Sequence, residues 1–381
     1  METNEKKQLS YELGPIRPPS EAYSLLIRAT RNCPWNKCRF CHTYKGRKFE
    51  MRSVDEIEAD IYTAKVMKDR MAEVALQTST DIKEVAGRLL ADPPSEGFRN
   101  VALWLYAGGE NVFLQDANSL LMKTDDLVEV LRFLKVTFPG VKRITSYGRS
   151  QTANRKKPEE LARLSEAGLS RLHLGLESGY DPLLLYMDKG VTAEEHVKGG
   201  RKVVQSGISL SEYVILGLGG KQMSEEHATH TAGVLNEIGP DFIRVRTLCV
   251  NKRMPLHEDI QSLKFVMATD EEIVKEERKL IVSLECNSNF VSDHISNLLP
   301  ELEGRLPDDK DGMLAVIARF EALSPDEKAN FIVGRRINVY SSLDDMKDPR
   351  RHEVAERVKK KLSRDNRLDQ NEIFALMEDF I

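Results

Sequence analysis

Three cysteines stand close together in the run Cys33-Pro34-Trp35-Asn36-Lys37-Cys38-Arg39-Phe40-Cys41. Thiolates are soft ligands, suited to zinc, copper(I) or iron–sulfur clusters. A four-iron cubane held by three thiolates keeps one iron open. That is useless in a plain electron carrier and necessary where the cluster must bind a substrate. Two alternatives use the same loop. Structural zinc takes four protein ligands, usually in two separated pairs. No CxxC, CxxH or HxxxH pair stands elsewhere in the chain, and His42, adjacent to Cys41, is poorly placed as a fourth ligand. A four-cysteine electron-transfer cluster would recruit Cys249 or Cys286, which read most simply as small buried residues.

The rest of the composition limits what such a centre can serve. The chain has 381 residues, 41% apolar and 30% charged, with a net charge of −4. That length buries one large core or two ordinary ones. There is no overall basic field to attract nucleic acid or an anionic membrane. Five cysteines make a poor disulfide framework and point to a reducing compartment, so the cytoplasm is expected. The N-terminus lacks the apolar core of a secretory signal. The longest apolar runs fall far short of the roughly 20 residues that span a bilayer.

Strand-like segments are expected at 24–30, 101–107, 141–147, 171–177, 208–217 and 241–250. Between them, Ile57, Ile61, Ala64 and Met71 keep helical spacing, as do Leu127, Leu131, Leu134 and Phe138. From the second strand on, the repeat is the size of a βα unit. The pattern predicts an α/β fold with a parallel sheet, open or closed. The expected layout is a tail over 1–20, a βα domain over 21–250 with a helical insertion at 78–97, and a mainly helical region over 251–381. Ser324-Pro325-Asp326-Glu327 carries the signature of a helix start. The cysteine loop follows the first strand, at the sheet edge where parallel α/β folds collect their active sites.

A C-x4-C-x2-C loop with an aromatic residue before its last cysteine, after the first strand of a βα protein, resembles the radical SAM superfamily. The commonest spacing there has one residue fewer between the first two cysteines. Ala107-Gly108-Gly109-Glu110, taken as the end of the second strand, resembles the family's GGE motif. Two residues without Cβ let backbone approach a ligand, and Glu110 can accept hydrogen bonds from the methionine amine. Leu174-Gly175-Leu176-Glu177-Ser178-Gly179 is similar to the family's GLES signature, which implies that Glu177 binds the ribose hydroxyls of S-adenosylmethionine (SAM). The resemblance thus implies a partial (β/α)6 TIM-like barrel with a C-terminal helical extension over its mouth. It also implies a [4Fe–4S] cluster on Cys33, Cys38 and Cys41, with SAM as the second cofactor.

Further cofactor contacts follow from the same likeness. Lys189 falls where related enzymes carry a basic residue for the methionine carboxylate, though a solvated helix-end lysine explains it equally. Ser146 and Arg149 end the third strand, and Arg149 is a second candidate for that carboxylate. Phe40 is expected near the adenine, with a plain core aromatic as its alternative. Ile215 and Gly217 complete the adenine wall. For the substrate, Asp116 and Asn118 are expected near the barrel mouth, against the plainer reading of a helix N-cap. Asp293 and His294, in Ser292-Asp293-His294-Ile295-Ser296-Asn297, are expected to fold in over the cluster, against an Asx-turn.

The expected chemistry is reductive cleavage of SAM, followed by hydrogen abstraction from a small or medium-sized organic substrate. A flavodoxin- or ferredoxin-like partner would supply the electron. Modification of a peptide or RNA is the alternative, disfavoured by the acidity and by the lack of a recognisable recognition domain. A non-catalytic iron–sulfur or zinc protein is the third class, and it has no need of the GGE and GLES segments.

Overall fold

The computed structural model describes residues 9–364 and 367–377. Residues 1–8 of the expected tail, and 365–366 and 378–381 of the C-terminal region, lie outside the described residues. The chain divides into two compact units. The first takes residues up to Pro34, Gly46–His173 and Gln205–Ser209, and the second Trp35–Lys45, Leu174–Val204 and Leu210 onward.

Eight strands follow one another across the sheet in chain order. They are β1 (Leu25–Arg28), β2 (Asn111–Gln115), β3 (Arg143–Gly148), β4 (Leu169–Glu177), β5 (Ser209–Leu216), β6 (Phe242–Thr247), β7 (Ser288–Val291) and β8 (Glu303–Leu306). The β1–β2, β2–β3, β5–β6 and β6–β7 pairs are parallel, and only β8 returns antiparallel, against β7. The fold class is therefore the expected one: α/β, with a mainly parallel sheet of the kind that forms a partial TIM-like barrel.

In the first unit the helices are α1 (Val54–Thr78), α2 (Ile82–Leu89), α3 (Glu96–Tyr106), α4 (Thr124–Thr137), α5 (Ser150–Arg155) and α6 (Pro158–Ala167). Helix α1 starts at a capping box in which Ser53 and Glu56 satisfy each other's backbone donors. It buries Ile57, Ile61, Ala64, Met67 and Met71 at helical spacing.

The run 101–107 is not a strand. It forms most of α3, capped by Ser95, whose side chain accepts from Phe98 N, and it buries Phe98, Val101, Ala102, Trp104 and Leu105. A short apolar run bounded by glycines reads the same whether it is a buried strand or a buried helix. The second strand is instead Asn111–Gln115, whose polar ends masked it.

Nor is the segment before β1 a loose tail. Gln115 donates to the carbonyls of Gly14 and Ile16 and accepts from Gly14 N at 2.8 Å. Glu12 pairs with Arg28 and Arg31.

The second unit holds α7 (Asp181–Tyr186), α8 (Ala193–Gln205), α9 (Ser224–Ile238), α10 (Leu256–Gln261), α11 (Asp270–Ser283), α12 (Lys310–Glu321), α13 (Pro325–Arg336), α14 (Pro349–Leu362) and α15 (Gln370–Met377). The region after 250 is thus helical apart from β7, β8 and a two-residue pairing of Ser363–Arg364 with Arg367–Leu368. Helix α13 begins at the expected box, Ser324 with Glu327.

Candidate functional site

In the first unit, β1 and β2 run parallel with Arg28 beside Gln115, so the segments after them leave the same edge. Asn32, in the left-handed region at φ 67°, precedes Cys33. Its backbone N donates to Asp116 Oδ2 at 3.0 Å, and the same oxygen takes Arg28 Nη2 at 2.6 Å. Asp116 is fully buried. It is therefore no helix cap: it ties the start of the cysteine loop to the end of β2. Asn118 is also buried, donating to Thr152 Oγ1 and accepting from Arg149 N at 3.2 Å. The structure thus brings Cys33, Asp116, Asn118 and Arg149 to one edge of this unit. Ser146 is buried and spends its hydroxyl on the Leu114 and Tyr147 carbonyls.

Gly108, Gly109 and Glu110 are a correction. They lie between α3 and the first residue of β2, at the end of that strand opposite Asp116. Both glycines have positive φ, which makes them the turn out of α3. Glu110 is half exposed and pairs with Lys142 at 2.6 Å. The expected amine acceptor therefore sits at the wrong end of its strand. Gln115–Asn118 occupies the C-terminal end of that strand instead.

The second unit carries the other two thiols. Asn36 Nδ2 donates to the Tyr44 carbonyl at 2.5 Å, and Trp35 Nε1 donates to the Asp188 carbonyl at 2.6 Å, which closes the 35–45 loop and ties it down. Phe40 is buried in an apolar cluster with Leu183, Met187, Ile215, Leu248 and Phe265, against which Cys38 and Cys41 pack. Phe40 and Ile215 are therefore core residues placed beside the thiols. Gly217 has φ 76° and donates its N–H to Glu276 Oε1 at 2.7 Å.

Glu177 ends β4 with φ 62°, a left-handed conformation that costs a non-glycine residue free energy and clusters at functional sites. Its Oε1 takes Lys189 Nζ at 2.9 Å, with both side chains about nine-tenths buried. Its Oε2 is buried with no hydrogen-bond partner. Lys189 is thus no solvated helix-end lysine. The ammonium stands 5.9 Å from the centre of the Phe40 ring.

After β7, Asp293 pairs with Arg244 at 2.7 Å, and the half-buried His294 takes Ser296 at its Nδ1. Burial, and then Arg246, push the His294 imidazole down to about 4.

Several residues escaped the sequence reading. Glu212, inside the apolar run of β5, is fully buried with neither carboxylate oxygen partnered. Burial drives its pKa well above the carboxylate range; the Lys189 charge opposes that shift and the Glu177 charge adds to it. A glutamate in so apolar a strand was the available signal. Ser178 Oγ meets His227 Nδ1 at 2.8 Å, fixing the backbone next to Glu177. Arg39, between Cys38 and Phe40, pairs with Asp259 at 2.6 Å, and Tyr186 donates its hydroxyl to the same oxygen.

None of the cysteines is in a disulfide, and Cys33, Cys38 and Cys41 are each partly accessible. Among the described residues no three His, Cys, Asp or Glu side chains are already gathered as a metal-binding group. The donor set itself, three soft thiols on one short loop, suits an iron–sulfur cluster better than a hard cation.

Residues 96–232 match the model of the radical SAM superfamily. Its members are enzymes of SAM-dependent radical chemistry that bind a [4Fe–4S] cluster and SAM. The match covers α3 to α9 and begins downstream of the cysteine loop.

No curated protein sequence matches the chain. Among solved structures, the archaeal Methanocaldococcus infernus Elp3 is similar at 15% identity and a TM-score of 0.40, over 51% of each chain. The chain thus spans about half the length of that relative. Methylornithine synthase is 16% identical over 76% of each chain, with a TM-score of 0.43. Coproporphyrinogen III oxidase from Escherichia coli is 11% identical over 94% of this chain and 90% of its own, with a TM-score of 0.39. No helix among the described residues is long and apolar enough to cross a membrane.

Proposed function

We propose that this chain is a radical SAM enzyme in which Cys33, Cys38 and Cys41 hold a [4Fe–4S] cluster and Glu177 binds SAM, acting on a small or medium-sized organic substrate. The observation that carries the proposal is the Glu177 carboxylate. One oxygen is neutralised by Lys189 and the other is buried without a donor. Leaving such an acceptor unsatisfied costs about 1–3 kcal/mol, which a bound hydroxyl or ammonium removes. The left-handed backbone at Glu177 is the second cost borne at the same place.

Together, the two cofactors supply a one-electron cleavage of SAM that leads to hydrogen abstraction from the substrate. The chain's own residues prepare for it. Phe40, Met187, Ile215 and Phe265 exclude water beside Cys38 and Cys41, and exclusion of water protects reactive species from side reactions. Arg39 anchors the loop between them through Asp259. Asp116 holds the approach to Cys33. A flavodoxin- or ferredoxin-like donor supplies the electron, and the reducing cytoplasm keeps the thiols free.

The test is anaerobic reconstitution with iron and sulfide. About four irons per chain are expected, the content of one cubane, together with loss of iron and of SAM cleavage in Cys38→Ala. Air-free protein that holds stoichiometric zinc and takes up no iron refutes the proposal.

A further inference from the structure

The β6 strand presents two arginines to one face of the sheet, and they are treated differently. Residues two apart on a strand share a face, so Arg244 and Arg246 project together. Register places Tyr213 beside Arg244 and Ile215 beside Arg246. Ile215 packs with Phe40 of the cysteine loop, so Arg246 belongs to the face that carries the thiols' own apolar cluster. Arg244 is buried and paired with Asp293. Arg246 is half-buried and makes no hydrogen bond or ion pair among the described residues.

The surroundings leave that charge uncompensated. Arg336 is paired with Asp270. Arg335 is buried and donates to the carbonyls of Ile295, Asn297 and Tyr340, with no acid of its own. Asp293 is already committed to Arg244. Two guanidinium groups, Arg246 and Arg335, therefore lack a counter-charge in this part of the molecule.

His294 supplies the directional element. The backbone N–H of Ser296 donates to His294 Nδ1 at 3.2 Å, which makes Nδ1 an acceptor and puts the ring proton on Nε2. Thr247 N donates to Ser296 Oγ at 3.1 Å, locking this turn against the end of β6. The Nε2–H is then a neutral donor with no partner among the described residues. Arg246 is near enough to help hold the ring neutral.

We propose that Arg246 and His294 form the recognition site for an oxyanion carried by the substrate, a carboxylate or a phosphate, at the C-terminal end of β6. This names a chemical class of substrate, and it rests on the radical SAM reading only for the word substrate. A guanidinium offers two parallel donors to such a group, and the imidazole adds a third from the β7 turn.

The probes are inorganic phosphate and acetate, titrated calorimetrically into the full-length reconstituted protein with and without SAM. One of the two should bind in the wild type, and the stronger identifies phosphate or carboxylate as the group recognised. Arg246→Gln should weaken that probe about tenfold, the worth of one charge-assisted contact, and Arg246→Lys should restore part of the loss. SAM affinity should stay within about twofold in both variants.

Unchanged probe affinity in Arg246→Gln, or no binding of either anion by the wild type, overturns the proposal. A parallel loss of SAM affinity also overturns it, because the anion is then SAM's own carboxylate. Cys38→Ala should retain probe binding, so failure of iron loading and failure of the oxyanion site give separate results.

Discussion

Gly175 offers the most direct way to disturb Glu177 without removing it. It lies two residues before Glu177 on β4, and its backbone does not occupy the positive-φ region that excludes alanine. A Cβ built there overlaps the Glu177 Oε1 oxygen and stands 3.0 Å from Lys189 Nζ. The atoms struck are the far ends of two flexible side chains, so Gly175→Ala moves the carboxylate and ammonium together rather than breaking the strand. Folding stability should change by only about 1 kcal/mol, within the range of ordinary single substitutions. The displaced carboxylate should lose a charge-assisted hydrogen bond to SAM, worth about 1.5–3 kcal/mol, or a rise in Kd of about 10- to 150-fold. Isothermal titration of SAM into reconstituted wild type and variant measures this, with iron content and thermal unfolding as controls. Wild-type SAM affinity in a variant with normal iron and normal Tm would remove Glu177 from the SAM site.

Asp259→Asn should loosen the cysteine loop by discharging the acceptor shared by Arg39 and Tyr186. Iodoacetamide should then alkylate Cys38 and Cys41 faster in the metal-free protein, and Asp259→Glu should restore protection; equal rates in all three would make the contact ornamental to the loop. Glu277 is buried on α11, and burial, with the Glu276 charge behind it, pushes its pKa up to about 8. Because the folded value lies above the unfolded one, its contribution is full below about pH 4.5 and lost as pH rises through 8. Glu277→Gln should therefore stabilise the protein more at pH 8 than at pH 5 in urea unfolding, and an equal gain at both would refute the assignment.

The chemistry was more legible in the sequence than the placement of the elements that carry it. The cysteine spacing and the strands at 171–177, 208–217 and 241–250 needed only residue types and periodicity, and β4, β5 and β6 lie there. The failure at 101–110 has a definite cause. Seven apolar residues in a row carry no alternation, so neither period shows, and only Ser95 and Phe98 upstream mark the run as a continuing helix. The true strand begins with Asn111 and ends with Gln115, a residue that reads as a loop. Gln115 is buried because its amide replaces backbone partners for the segment at Gly14 and Ile16, about a hundred positions away in the chain. A polar residue satisfied at that range leaves no local trace.

The same limit explains why Lys189 was ambiguous and Glu212 went unnoticed. Lysine on a turn after a short helix is ordinarily solvated, and nothing in its neighbours says otherwise. Its role follows from the left-handed backbone at Glu177, which turns that carboxylate onto the ammonium. Glu212 then sets a constraint on both. It is buried without a partner, and its pKa is raised well above the carboxylate range. That shift favours its protonated form, and the more of it is neutral, the more the Lys189 charge is left to Glu177 rather than divided between two carboxylates. A single ammonium facing one ionised carboxylate keeps Oε1 neutralised and leaves Oε2 as the acceptor for a ligand. Were Glu212 ionised, the site would carry a surplus negative charge in a buried place, which is the costlier arrangement.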